Sequence, residues 1–236
     1  MAVTVKDCSR AKLRMQNLII VPGHGVCRPG STGPNAVGDD ESWCGTYPRE
    51  ARFYVEHVRS GVEISHRRPS SLLMFSGGQT RAAAGPRSEA QSYFEIARDH
   101  DWWSHAEVVT RTALEEYARD GFENLVFSLA RFRQVTGTWP SLVVITGWAF
   151  KRQRYEAYGR LINLPLERLE YVGVNQPPSN SLLAAIDGEK ARIAELKRAK
   201  LRDLLDSDEL RTRRDPFSRG NPYVELVADL FRELGV

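Results

Sequence analysis

Leu72-Leu73-Met74-Phe75-Ser76-Gly77-Gly78-Gln79-Thr80-Arg81, continued by Gly85-Pro86-Arg87-Ser88-Glu89-Ala90, decides how the rest of the chain is read. Four apolar residues in a row read as a strand buried on both faces, the habit of parallel sheets. Two glycines let the backbone turn sharply and approach a ligand with no Cβ in the way. Arg87 to His100 reads as a helix, with Pro86 suited to the first helical position. Strand, short loop and helix start aim backbone N–H groups at a bound anion. Ser76, Gly77, Gly78, Arg81, Arg87 and Ser88 are therefore the expected ligand-binding residues of this loop. Glu89 has two readings, as a complement to the helix dipole or as a working acid beside the anion.

The same alternation extends in both directions. Asn17 to Gly23 is a continuous apolar strand ending in Pro22-Gly23-His24-Gly25, and a long Gly-rich loop follows to Pro48. Arg49 to Ser60 reads as a helix capped by Gly61. Beyond the central stretch come a short strand at Glu107–Thr110, a helix at Asp120–Val135 and a strand at Ser141–Thr146. A helix at Phe150–Leu161 and a strand at Leu169–Gly173 complete the alternation. This β-α order predicts an α/β fold, a mainly parallel sheet of about five strands with helices on both faces. Residues 1–16 read as an N-terminal extension and 17–176 as the α/β domain. Residues 177–236, after Pro177-Pro178, read as a C-terminal helical extension packed on the same domain, with helices at Asn180–Leu205 and Asn221–Leu234.

Composition narrows the function classes. A net charge of +3 is mild and predicts no nucleic-acid partner, which calls for a concentrated basic face. The mixed charges between Asn180 and Leu205 read as a solvated helix face. No apolar run is long enough for a membrane span. Cys8, Cys27 and Cys44 have no metal-ligand spacing, and their odd number fits a reducing compartment. The expectation is a cytoplasmic protein.

In parallel sheets ligands bind beyond the C-terminal strand ends. Gly23 and His24, Ser76, the segment from Thr110 to Asn124, and Gly147 all fall there. His24 reads either as an acid or base near neutral pH or as a hydrogen-bonding loop residue. Asp120 and Glu123 form a capping box. In the competing reading Glu115 and Glu123 stand near Glu89 and His24, where their oxygens hold Mg²⁺ or bond a ribose. Lys151, Arg152 and Arg154 begin a helix at the end that normally prefers acids, which points to an anionic partner or to compensating acids. No Gly-x4-Gly-Lys-Ser/Thr occurs, and Ser76 has no assignable base for a nucleophile's role.

The run Ser76-Gly77-Gly78, then Ser88-Glu89-Ala90, Glu115, Glu123-Asn124, and Thr146 before a basic helix start resembles the YdcF-like family, domain of unknown function 218. Phe150-Lys151-Arg152-x-Arg154 resembles its soluble eukaryotic, fungal-type branch. The resemblance covers about Asn17 to Val174. It implies a Rossmann-like three-layer αβα sandwich and binding of S-adenosylmethionine or another nucleotide-like ligand. The functional expectation is an enzyme on a small phosphorylated or otherwise anionic substrate. In it His24, Glu89 and Glu123 do the acid/base or metal work, while Asn124, Gly147 and the basic cluster join the loop glycines in binding. The alternative is a binding module without chemistry.

Overall fold

The structure, a computed structural model, describes residues 14–45, 49–177, 179–196, 201–205 and 213–236. Most of the expected N-terminal extension, with Cys8, lies outside the described residues. In chain order the elements are β1 (Asn17–Pro22), a small hairpin of β2 (Val26–Cys27) and β3 (Trp43–Cys44), α1 (Ala51–Arg67) and β4 (Ser71–Ser76). Then come α2 (Glu89–Asp99), β5 (Thr112–Glu115), α3 (Gly121–Thr136), β6 (Leu142–Trp148), α4 (Arg152–Leu161) and β7 (Leu169–Asn175). Three helices follow, α5 (Ser179–Leu196), α6 (Leu201–Leu205) and α7 (Val224–Leu234).

Five strands pair in parallel in the order β5-β4-β1-β6-β7. Side chains alternate across them, as the two-residue period of a strand requires. Leu18, Ile20, Leu72, Met74, Val143 and Ile145 face α3, α4 and α7. Ile19, Val21, Leu73, Phe75 and Val144 face α1 and α2. The result is a Rossmann-like three-layer sandwich with one apolar core on each side of the sheet. Tyr223, Val227 and Leu230 bring the chain's last helix into the same core as Phe127 of α3.

Several elements differ from the sequence expectation. Glu107–Thr110 is a 3-10 segment, and the strand is Thr112–Glu115. Thr110 Oγ1 donates to the Glu107 carbonyl and Thr112 Oγ1 to that of Val108, local bonds that hold the β-branched run in turns. α2 begins at Glu89 behind an N-cap Ser88, so Pro86 lies before the helix. α4 begins at Arg152 after a 3-10 turn, and β6 runs on to Trp148.

Gly61 is no cap, because α1 continues six residues beyond it to Arg67. It is the point where α1 crosses the sheet: a Cβ there would overlap Val21 Cγ2 and come 3.3 Å from Leu73 Cδ1. Alanine in a helix interior is favoured over glycine by about 0.8–1 kcal/mol. Overpacking a fully buried seam costs about 1–3 kcal/mol. Gly61→Ala is therefore expected to destabilise the fold by up to about 2 kcal/mol net, measured by urea unfolding. A stabilised Gly61→Ala protein would show that α1 stands further from β1 than described.

Candidate functional site

The chain leaves β1 toward β4 and β5, then returns to β1's other side with β6 and β7. The reversal makes a crevice between the C-terminal ends of β1 and β6, the place where open α/β sheets take ligands. His24 follows β1 and Lys151 follows β6. Their side chains meet there, with His24 Nδ1 3.5 Å from Lys151 Nζ.

Three rings wall in the His24 imidazole: Tyr54 at 5.4 Å, His57 at 5.3 Å and Trp148 at 6.3 Å between centroids. His57 is fully buried, its Nε2 2.8 Å from Asn175 Oδ1. Asn175 Nδ2 in turn donates to Glu56 at 2.8 Å. Burial, with the Lys151 charge second, holds the His24 pKa well below its usual value. His57 is pushed down to about 3, chiefly by burial. Lys151 falls to about 7, through burial first and the Arg154 charge second. At neutral pH His24 is therefore a neutral imidazole beside the Lys151 ammonium. An ammonium only donates, so Nδ1 is the acceptor and the ring proton sits on Nε2. That Nε2 is shielded from solvent and bonded to nothing among the described residues. Gly147 leaves the space next to it open: a Cβ at Gly147 would stand 3.9 Å away.

The helix start after β6 carries three cations with three different environments. Arg152 is exposed on the outer side, its guanidinium 5.6 Å from the Tyr171 ring centre. Arg154 is buried and ion-paired with Glu189 of α5, Nε to Oε2 3.0 Å. Lys151 has no carboxylate within 4.0 Å among the described residues. The compensating acid thus comes from a helix expected to be a solvated face; it pairs closely with Arg154 and acts on Lys151 from further away.

The Ser76–Ala90 loop turns its backbone donors inward. The amides of Gly77 and Gly78 bond the carbonyls of Glu115 (2.9 Å) and Ala118 (2.7 Å). Glu89 and Ala90 N–H groups bond the carbonyls of Gly78 (3.0 Å) and Gly77 (3.1 Å). Ser88 Oγ accepts from Gln91 N at 2.9 Å and donates to Glu116 at 2.8 Å. Arg87 donates to the Cys27 carbonyl at 2.7 Å and to both Glu95 oxygens, at 3.0 and 2.5 Å. The expected backbone cradle for an anion is thus satisfied from within, and Ser88 and Arg87 are holding the loop. Arg81 is different. One Nη donates to the Gly45 carbonyl at 3.1 Å, while its buried Nε has no partner.

Glu89 packs its carboxyl over bare backbone. A Cβ on Gly23 would lie 2.6 Å from Glu89 Oε2, and so would one on Gly77. Thr80 Oγ1 donates to Glu89 Oε1 at 2.5 Å. Burial raises the Glu89 pKa, and Thr80, Arg214 and Arg81 pull it back in that order. Arg214 thus brings the C-terminal segment to this acid.

Glu115 and Glu123 do not join Glu89 and His24. Glu123 is fully buried and takes the Arg119 guanidinium through both oxygens, along with Arg119 N at 2.7 Å. Asp120 caps α3 by accepting from Glu123 N at 2.9 Å. Glu123 therefore locks a loop, which corrects its reading as a catalytic acid. Among the described residues no three metal-ligand groups converge at these strand ends, and Glu115 and Glu123 are bonded within their own loops.

Glu115 Oε1 accepts from Tyr117 N (2.7 Å) and Ala118 N (3.1 Å). Ser76 Oγ, buried, lies 2.6 Å from Glu115 Oε2 and 2.8 Å from Asn124 Oδ1. One hydroxyl proton cannot serve two acceptors. Burial pushes Glu115 up to about 7, and its carboxylic proton supplies the missing donor. Ser76 and Asn124 are thus members of a buried relay, away from any nucleophile's role.

Sequence reasoning missed Tyr54, His57, Trp148, Glu189 and Arg214. His57 had a signal: it falls three residues after Tyr54 and one before Val58, on the helix face that packs inward. Glu189 and Arg214 had none, since nothing local says which distant strand end they reach.

The relay sets a pH dependence. The folded Glu115 pKa of about 7 stands above its ordinary value of 4.5. The fold then binds a proton the unfolded chain releases, so this contribution is full below the unfolded value. It is lost as pH rises from 4.5 through about 7, by on the order of 3 kcal/mol. Glu115→Gln, whose amide can donate to Ser76, is expected to flatten that decline in urea-unfolding measurements from pH 5 to 8. An unchanged decline would assign it to other groups.

No protein-family model and no solved structure matches the chain. It is similar to an uncharacterized protein of Saccharomyces cerevisiae, YOR238W, with 23% identity over 263 residues. The alignment takes in 89% of this chain and 87% of the yeast protein.

Proposed function

We propose that the crevice between β1 and β6 binds the anionic end of a small molecule, and that the chain is an enzyme of hydrolase or transferase type. Its substrate is phosphorylated or nucleotide-like. The proposal keeps the YdcF-like resemblance and a cytoplasmic setting as part of the same reading. One observation carries it: a buried His24 Nε2 with no partner, in a crevice where, among the described residues, no carboxylate lies within 4.0 Å of Lys151. Arg154 and Arg192 add positive potential at Lys151, which Glu189 and Glu50 offset in part. An anion entering there gains a hydrogen bond from His24 Nε2–H and the Lys151 charge, both already oriented.

His24 in this tautomer is a hydrogen-bond donor at Nε2. Lys151 holds the anion and fixes the tautomer through Nδ1. Glu89, with Arg81 and Arg214 about it, borders the same end of the sheet through its packing on Gly23. The second reading, a non-catalytic module, shares the anion site. S-adenosylmethionine suits it less well, because its sulfonium adds a positive charge to a cationic crevice. Phosphate and carboxylate groups complement it.

Sulfate, which stays a dianion across the range, is the probe. Its affinity, measured by calorimetry, is expected to fall between pH 6 and 8.5 as Lys151 deprotonates near 7. Lys151→Arg should remove that fall, and His24→Ala should weaken binding by about tenfold or more. Binding that ignores both substitutions would sink the site. Turnover of a phosphorylated-metabolite panel by the wild type, lost in His24→Ala, separates enzyme from binding module.

A further inference from the structure

His66, His105 and Glu107 stand together at the other end of the sheet. His66 is on the last turn of α1, which leads into β4. His105 and Glu107 belong to the connection from α2 to β5. Each offers one ligand atom, and the three atoms lie within 4.8 Å of one another. His66 Nδ1 is 2.8 Å from Glu107 Oε1. The two imidazoles are stacked, with centroids 3.9 Å apart and planes at 17°. Imidazole nitrogens ligate metal in their neutral form.

A second observation concerns the backbone. Asp101, Trp102, Trp103 and Ser104 all have positive φ, at 50°, 50°, 49° and 67°. Four successive L-residues in the left-handed region form a strained turn, and strained turns persist where the surroundings over-determine them. Trp102 anchors this one, buried against Phe94 with ring centres 5.5 Å apart. The turn delivers His105 onto His66 from beyond β4 and α2. Nothing in the anion crevice needs this arrangement.

We propose that His66, His105 and Glu107 form a binding site for a divalent transition metal of the zinc type, which clips the end of α1 to the α2–β5 connection. Two imidazole nitrogens and one carboxylate oxygen are a zinc donor set, with the fourth position left to water. Ligand distances of about 2.0–2.2 Å put tetrahedral donor atoms roughly 3.4 Å apart. The present spacing closes to that by side-chain rotation, the metal replacing the proton shared by His66 and Glu107. Arg111, 3.9 Å from Glu107, is a competing cation that tunes affinity downward. Hard Mg²⁺ is not expected to bind, because imidazole nitrogens suit zinc, copper and nickel better.

The test uses the full chain, stripped with chelator and titrated with Zn²⁺ against a chromophoric competitor. One equivalent per chain is expected, with a raised melting temperature. His66→Ala and His105→Ala should each weaken it by at least about tenfold. Their circular dichroism and metal-free melting should match the wild type; His66→Asn, at an exposed helix end, serves if His105→Ala does not fold. Co²⁺ in place of Zn²⁺ should give visible d–d absorption without a thiolate charge-transfer band, which separates this site from the cysteines. No zinc uptake by the wild type, or uptake that survives in the His66→Ala/His105→Ala double variant, would overturn the proposal.

Discussion

Glu89 occupies the volume that two side chains would need. Gly23 ends β1, Gly77 follows β4, and neither position admits a Cβ while the Glu89 carboxyl lies across them. The Gly23 amide donates to the Ser76 carbonyl at 2.7 Å, tying the two strand ends together. The carbonyls of Gly77 and Gly78 then close the first turn of α2. This seals the seam between β1 and β4 with the protein's own groups. The seam on the other side of β1 is left as the crevice, and there the buried donors lack partners. Position along the sheet and not glycine content decides which strand end can take a ligand.

The crevice stores unfavourable charge. Burying a cation costs free energy unless a counter-charge is close. Arg154 has Glu189. Lys151 has no carboxylate within 4.0 Å among the described residues, only the more distant Glu189 and Glu50, and burial lowers its pKa to about 7. His24 and His57 stay neutral for the same reason. The aromatic wall of Tyr54 and Trp148 lowers the polarity around His24, so partial charges there are felt more strongly. A site built this way is organised for an anion before the anion arrives.

The sheet was legible in the sequence because its strands are buried on both faces. Runs such as Leu18 to Val21, Leu72 to Phe75 and Leu142 to Ile145 have no other reading at that length. The third strand was not legible, because Thr110 and Thr112 divert a β-branched run into turns. His24 and Lys151 could be picked out locally, by their glycines and by the helix start. Their contact could not, since it depends on β6 pairing with β1. Glu115, Glu123 and Ser88 carried the right chemical type for a site, yet each is spent on the backbone of its own loop. Composition cannot separate a carboxylate facing a ligand from one capping a turn.

β1 sits in the middle of the sheet, with a partner on each side that arrives much later in the chain. During synthesis from the N-terminus, β1 has no neighbour until β4 emerges and keeps one edge open until β6 does. Glu189 and Arg214 come later still. Until β6 pairs with it, that apolar strand edge is open, a hazard that favours chaperone engagement. His24 meets Lys151 only after β6 has paired with β1. The charged end of the crevice therefore joins widely separated parts of the chain, Glu189 and Arg214 among them.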